Sequence, residues 1–209
     1  IMTAKDAQFP VLPIQDKPAF GYRGLMLDCA RHFWTVDELK ETLDHMAFFK
    51  LNTLHMHLTD NQAWRLSMDK YPDLVKEGTY YYDFPELSGK YYSKEDLKEI
   101  VTYAGTRGIE IIPEVDLPGH SIALLAALPE LSCRGGKFEA TPEERDWNKR
   151  KRGNENMICI GNPQSFAFAE DVIDALIEIF PSQYIHFGGD EVPTGKNVPN
   201  VWHFTNAKE

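Results

Sequence analysis

Apolar residues in this chain alternate between short, nearly unbroken blocks and longer stretches in which they recur at helical spacing. Gly24-Leu25-Met26-Leu27-Asp28-Cys29-Ala30 is the first block, and its near-continuous apolarity predicts a parallel strand covered on both faces. A helix is expected to follow at once: Thr35 and Glu38 form a capping box, and Val36, Leu39, Leu43, Met46 and Ala47 share one face. Residues 52–58 read as a second strand. A second helix opens with Ser93 and Asp96, turns Leu97, Ile100, Val101 and Ala104 inward, and stops near Gly108. Residues 109–115 are the third strand, and a short helix over 121–128 is cut off by Pro129. Asn162 caps the next helix, with Pro163 at its first position and Phe166, Ala169, Val172, Ile173, Leu176 and Phe180 as its apolar stripe. Tyr184-Ile185-His186-Phe187 then supplies a fourth strand. Such alternation predicts an α/β fold with a parallel sheet and helices outside, either open and doubly wound or closed as a barrel.

Three stretches stand outside this pattern. Residues 1–19, with Pro10, Pro13 and Pro18, read as an extended lead-in or linker, and residues 20–209 as the folded unit. The stretch after Asp60 carries Tyr80, Tyr81, Tyr82, Phe84, Tyr91 and Tyr92 and is too long for a plain connector. Packing of these rings onto the body is the favoured reading, and stacking on a ligand is the other. Residues 133–161 are polar and irregular, as expected of surface chain.

Composition narrows the partners. A formal net charge of −10 argues against nucleic acid. The one basic cluster, Lys149-Arg150-Lys151-Arg152, lies among Glu143, Glu144 and Glu155 and reads as a solvated loop. No apolar stretch approaches the roughly 20 residues that span a bilayer. Because the chain begins at Ile1, the lack of a leader pattern decides nothing about an upstream segment. Cys29, Cys133 and Cys159 fit no metal-binding spacing; Cys29 reads as a buried thiol, and Cys133 with Cys159 as a disulfide if the protein is exported.

The candidate chemistry lies just past strand ends. Arg31 follows the first strand, Asp60 the second, Asp116 and His120 the third, and Asp190-Glu191 the fourth. That is the face carrying the active site in (β/α)8 barrels, and no Gly-rich phosphate loop follows the first strand. Adjacent carboxylates after a Gly188-Gly189 break can divide acid and base roles, or simply begin a helix. Arg31 has the alternative of pairing with Asp28 or Asp60, and His120 that of capping a helix from Ser121. Glu114 and Asp28 suit a buried polar network. His55 and His57 share a strand face; with His120 and His186 they form the basis of a second reading, a metal-dependent barrel hydrolase.

Four motifs in order resemble the catalytic domain of glycoside hydrolase family 20, the β-N-acetylhexosaminidases, over about residues 20–192. They are Gly24 to Phe33 (GLMLDCARHF), Leu51 to Asp60 (LNTLHMHLTD), Pro113 to His120 (PEVDLPGH) and His186 to Glu191 (HFGGDE). The resemblance implies hydrolysis of terminal N-acetylglucosamine or N-acetylgalactosamine from β-linked glycans, retaining and substrate-assisted, without cofactor or metal. It implies Glu191 as general acid and base, Asp190 as holder of the 2-acetamido N–H, Asp60 with His120 as a relay to Glu191, and Arg31 with Asp116 as substrate-binding residues. An exported location is likewise implied. Four strands and three crossover helices make half of an eight-stranded barrel. The chain is therefore expected to be an amino-terminal half, weakly active or inactive alone, that either lacks its carboxy-terminal half or associates with another copy. A third reading is a non-catalytic truncated half barrel.

Overall fold

The structure is a computed structural model describing residues 13, 15–79, 86, 88–133 and 157–192. Tyr80, Tyr81, Tyr82, Phe84, the basic cluster at 149–152 and most of the proposed lead-in lie outside the described residues. Three parallel strands, β1 (Gly24–Asp28), β2 (Thr53–His57) and β3 (Glu110–Glu114), pair in the order β1-β2-β3. Each is followed by helix: α1 (Val36–Phe48) after β1, α2 (Asp73–Lys76) and α3 (Lys94–Gly105) after β2, α4 (Ile122–Ala127) and α5 (Pro163–Ile179) after β3. The fold is thus α/β with a parallel sheet.

Local chemistry explains the helix starts. Thr35 and Ser93 each accept a hydrogen bond from the third helical N–H, while Glu38 and Asp96 reach back to the cap N–H; both boxes are complete. Asn162 caps α5, with Pro163 in its first turn. The α5 stripe differs from expectation. Ser165, Phe168, Val172, Leu176 and Ile179 are the buried positions, and Phe166 is exposed. The sequence there is apolar round a wide arc, so its period does not fix which edge faces inward, and Phe168 rather than Phe166 packs on Trp64 and Tyr71.

The register divides the sheet into two faces. Gly24 pairs with Thr53, Met26 with His55, Asp28 with His57, and His57 with Glu114, so Met26, Asp28, His55, His57, Ile112 and Glu114 share one face. Leu54, Met56 and Ile111, on the other, are buried in the core with Leu39, Leu43, Met46, Leu97, Ile100, Val172 and Leu176 of the helices. One face is greasy and helix-covered; the other carries the ionisable residues.

Two strand expectations need correction. β1 is not covered on both faces: its residues are exposed or half-buried, with Met26 at 54%, because among the described residues it is an edge strand and no helix packs on the polar face that carries Met26. The 184–187 segment is not a full strand. It joins β3 through a single parallel bridge, His186 with Glu114, with His186 N–H donating to Pro113 O (3.0 Å) and Val115 N–H to His186 O (3.0 Å). Gly188 and Gly189, both at positive φ, turn the backbone away immediately afterwards.

Candidate active site

The polar residues past the strand ends form one connected network. Arg31 sits in the turn after β1, where Asp28 Oδ1 accepts the Ala30 and Arg31 N–H groups (3.1 and 2.9 Å). Its guanidinium bridges Asp28 Oδ2 and Asp60 Oδ2, each at 2.6 Å. Both pairings anticipated as alternatives to a ligand-binding role are present. With a side chain still 45% exposed, Arg31 can also face an incoming ligand.

Asp60 is the hub, 2% exposed. Oδ2 lies 2.9 Å from His57 Nε2, and Oδ1 lies 3.1 Å from His120 Nδ1 while accepting Asn61 N–H at 2.6 Å. Burial works to raise its pKa, but the two histidines and the Arg31 charge outweigh it and hold the carboxyl well below the usual range. His57 shows the converse: burial lowers its pKa, yet bonds to Asp60 and to Glu114, 3.1 Å from Nδ1, push it up to about 10. Glu114, also desolvated, is brought down to about 2 by His55 and His57. His55 Nε2 lies 2.5 Å from its Oε2, and His186 Nδ1 lies 3.4 Å from its Oε1.

The histidines therefore gather on two carboxylates rather than on one point. His57 and His120 flank Asp60; His55 and His186, with ring centroids 5.0 Å apart, flank Glu114. Among the described residues three triads are compact enough to hold a metal ion: His55-Glu114-His186, Asp60-Asp116-His120 and Glu114-Asp116-Asp190. None unites the four histidines. In the first, His186 Nδ1 already accepts the Gly188 N–H at 2.9 Å.

His120 is half-buried and stands at φ 47°, a backbone setting few side chains adopt. It does not cap α4, whose N-cap residue is Ser121. Its Asp60 bond raises its pKa against the opposing effect of burial. With Nδ1 on Asp60, Nε2 faces Glu191 Oε2 at 3.7 Å and has no hydrogen-bond partner among the described residues. Glu191 (φ 45°) and Asp190 are exposed at the rim, above the buried Asp60, Asp116 and Glu114.

Asp116 is 2% exposed, and burial raises its pKa. Thr59 Oγ1 accepts its N–H at 3.0 Å, its own Oδ1 accepts Gly189 N–H at 2.9 Å, and its Oδ2 is buried without a hydrogen-bond partner among the described residues. It thus holds the glycine turn that delivers Asp190 and Glu191. A Cβ at Gly188 would come within 2.0 Å of Oδ1, so only glycine admits this approach.

Arg65 and Asn61 also belong to the network, although neither stands at a strand end in the sequence pattern. Arg65 is 0% exposed and binds the turn carrying Arg31; Asn61 lies 3.4 Å from His120 Nδ1 and accepts the Ile122 N–H at 3.2 Å. An arginine between Trp64 and Leu66, both buried, was the available signal for the first. Tyr92, by contrast, packs as expected: it is fully buried, stacks on Phe33 and donates its hydroxyl to Trp34 O at 2.6 Å.

Parallel strands that gather carboxylates, histidines and an arginine at their carboxyl ends define an α/β domain with a carboxylate-based site. Residues 20–207 match the family described as Glycosyl hydrolase family 20, catalytic domain, and the chain belongs to that family. The beta-hexosaminidases of Porphyromonas gingivalis and Akkermansia muciniphila are each 43% identical, over 88% and 87% of this chain. The chain spans 23% and 36% of their lengths. Among solved structures, Streptomyces plicatus N-acetyl-beta-hexosaminidase in complex with Thio-NAglucal is 37% identical with a TM-score of 0.73, covering 84% of this chain and 34% of its own. The beta-N-acetylhexosaminidase of Bacteroides fragilis is 34% identical with a TM-score of 0.73, covering 86% and 34%.

Proposed function

We propose that this chain belongs to the catalytic domain of a β-N-acetylhexosaminidase that removes terminal non-reducing N-acetylhexosamine from β-linked glycans. The observation that carries this reading is the line from Asp60 through His120 to Glu191: a buried carboxylate fixes Nδ1, and Nε2, without a hydrogen-bond partner among the described residues, is turned to the exposed acid. In the reaction, Glu191 gives its proton to the glycosidic oxygen as the bond to the anomeric carbon breaks, and the acetamido oxygen of the substrate bonds that carbon from the opposite side. Asp190 accepts the acetamido N–H, which favours the cyclised, positively charged intermediate. Water then attacks the anomeric carbon, the bond from that carbon to the acetamido oxygen breaks to regenerate the acetamide, and the water yields its proton to Glu191, restoring the acid. Adjacent acids suffice because neither is the nucleophile.

Arg31 holds sugar hydroxyls through the donors its carboxylate partners leave free. Asp116 acts one step back, on the backbone that presents the acid pair. Residues 20–209 make up the amino-terminal half of a (β/α)8 barrel, with 1–19 as lead-in; support comes from the single-bridge fourth segment beside β3 and from the polar face of the sheet, which carries no helix among the described residues and which barrel closure would enclose. The Cys133–Cys159 disulfide fits an oxidising, exported location.

The test uses any polypeptide containing these residues that turns over an aryl N-acetyl-β-glucosaminide. Glu191→Gln is expected to lower kcat by about 10²–10⁴ with little change in product affinity, the usual scale of proton-transfer catalysis. Asp190→Asn is expected to slow the cyclisation step. Unchanged turnover in both variants would refute these roles, and loss of activity on chelation would favour the metal-dependent reading.

A further inference from the structure

We propose that Arg65 is the positioning residue for Arg31, clamping the turn that aims the sugar-facing guanidinium; this rests on the reading of Arg31 given above. Arg65 is 0% exposed. Its Nε donates to Cys29 O (3.2 Å), Nη2 to Ala30 O (3.0 Å) and Nη1 to Lys90 O (2.6 Å), and its guanidinium carbon stands 5.5 Å from the Phe33 ring centre. Cys29 and Ala30 are the two residues before Arg31. The turn is therefore held on both sides: Asp28 takes its N–H groups and Arg65 its carbonyls.

The clamp and the target share one short loop. Asp60 and Arg65 lie on the same excursion from β2, closed by the Thr59–Trp64 bridge and by Asp60 N–H to Ala63 O at 3.0 Å. Asp60 takes the guanidinium of Arg31, and Arg65 takes the backbone that carries it. The guanidinium of Arg31 and the backbone just before it are thus both held by one short hydrogen-bonded loop. Burying a guanidinium is costly unless its donors are met in good geometry, whereas an apolar side chain would fill the space without that cost. A planar fork is also the group suited to holding neighbouring carbonyls at once; a lysine ammonium is not.

The experiment compares wild type, Arg65→Lys and Arg31→Ala in a polypeptide containing these residues that turns over an aryl N-acetyl-β-glucosaminide, by amide NMR and by titration with N-acetylglucosamine. Arg65→Lys keeps the charge but loses the fork. We expect the Ala30 and Arg31 amides to shift and to exchange about tenfold faster while α3 amides stay unchanged, and sugar affinity to fall about tenfold, the scale of one charge-assisted hydrogen bond. A purely stabilising role would lower Tm and leave those two amides in place, and that outcome overturns the proposal. If Arg31→Ala leaves sugar affinity unchanged, the ligand role of Arg31 fails, while the amides still report on the clamp. Should Arg65→Lys not fold, labelled wild type decides: a through-hydrogen-bond coupling between Arg65 Nε and the Cys29 carbonyl carbon is expected, and a freely exchanging Arg65 guanidinium overturns the inference.

Discussion

Gly188 is where backbone conformation and close approach meet at a single residue. Its φ is +56°, and a Cβ would run into the Asp116 carboxylate; Gly189, at φ +88°, has nothing within 4 Å of the same added atom. The pair separates two costs. Alanine at Gly189 should bear the left-handed penalty alone, about 1–2 kcal/mol. Alanine at Gly188 should bear that and also displace Asp116 from Gly189 N–H, adding about 1–3 kcal/mol for a buried carboxylate stripped of its partner. Urea unfolding of the two variants checks this, and equal losses would mean that the Asp116 contact does not constrain the turn. Residues of this kind divide by how they announce themselves in sequence. Arg31, Asp60, His120 and Asp190-Glu191 stood out as candidates because ionisable side chains within a few residues of the end of an apolar block break a pattern. Asp116 was legible as polar, but its attachment to a glycine 73 residues away was not.

At the level of elements, the capping boxes of α1 and α3 were fully legible, since their partners are three residues apart. The fourth segment was not, because apolar content gives no measure of how many ladder bonds a neighbour supplies. The Cys133–Cys159 bond belongs to this scale: it ties the end of the α4 region to the start of α5 across a sequence separation of 26. Next to it, Cys159 N–H donates to Leu131 O (2.7 Å) and Ile158 N–H to Pro118 O (2.9 Å), which leads into the Gly119-His120 turn. Replacing both cysteines by alanine is expected to cost about 2–4 kcal/mol of stability, the typical loss of a native disulfide. Hydrogen exchange at Ile158 and Cys159 should rise together with that loss. A stability loss in which the Ile158 amide stays protected would show that the Pro118 contact stands without the bond.

The molecule as a whole is asymmetric in a way that follows from β1. Its outer edge has no pairing strand among the described residues, its register puts Met26 on the polar face, and Phe20, Tyr22 and Leu25 are exposed beside it. On one flank, then, unpaired backbone and apolar side chains lie together, the combination that templates association. In a closed barrel the last strand would pair with the first and bury this flank, which is why parallel alternation in the sequence suggested closure while the three-stranded sheet does not show it. The 209-residue chain is accordingly expected to self-associate as its concentration rises, measurable by sedimentation velocity. Leu25→Lys combined with Met26→Glu should shift it toward monomer without unfolding it, since neither side chain is in the core. Wild type that stays monomeric at every concentration would mean the exposed edge is no interface. Association that persists in the double variant would place the contact elsewhere, with exposed Phe48 and Phe49 at the end of α1 the next residues to change.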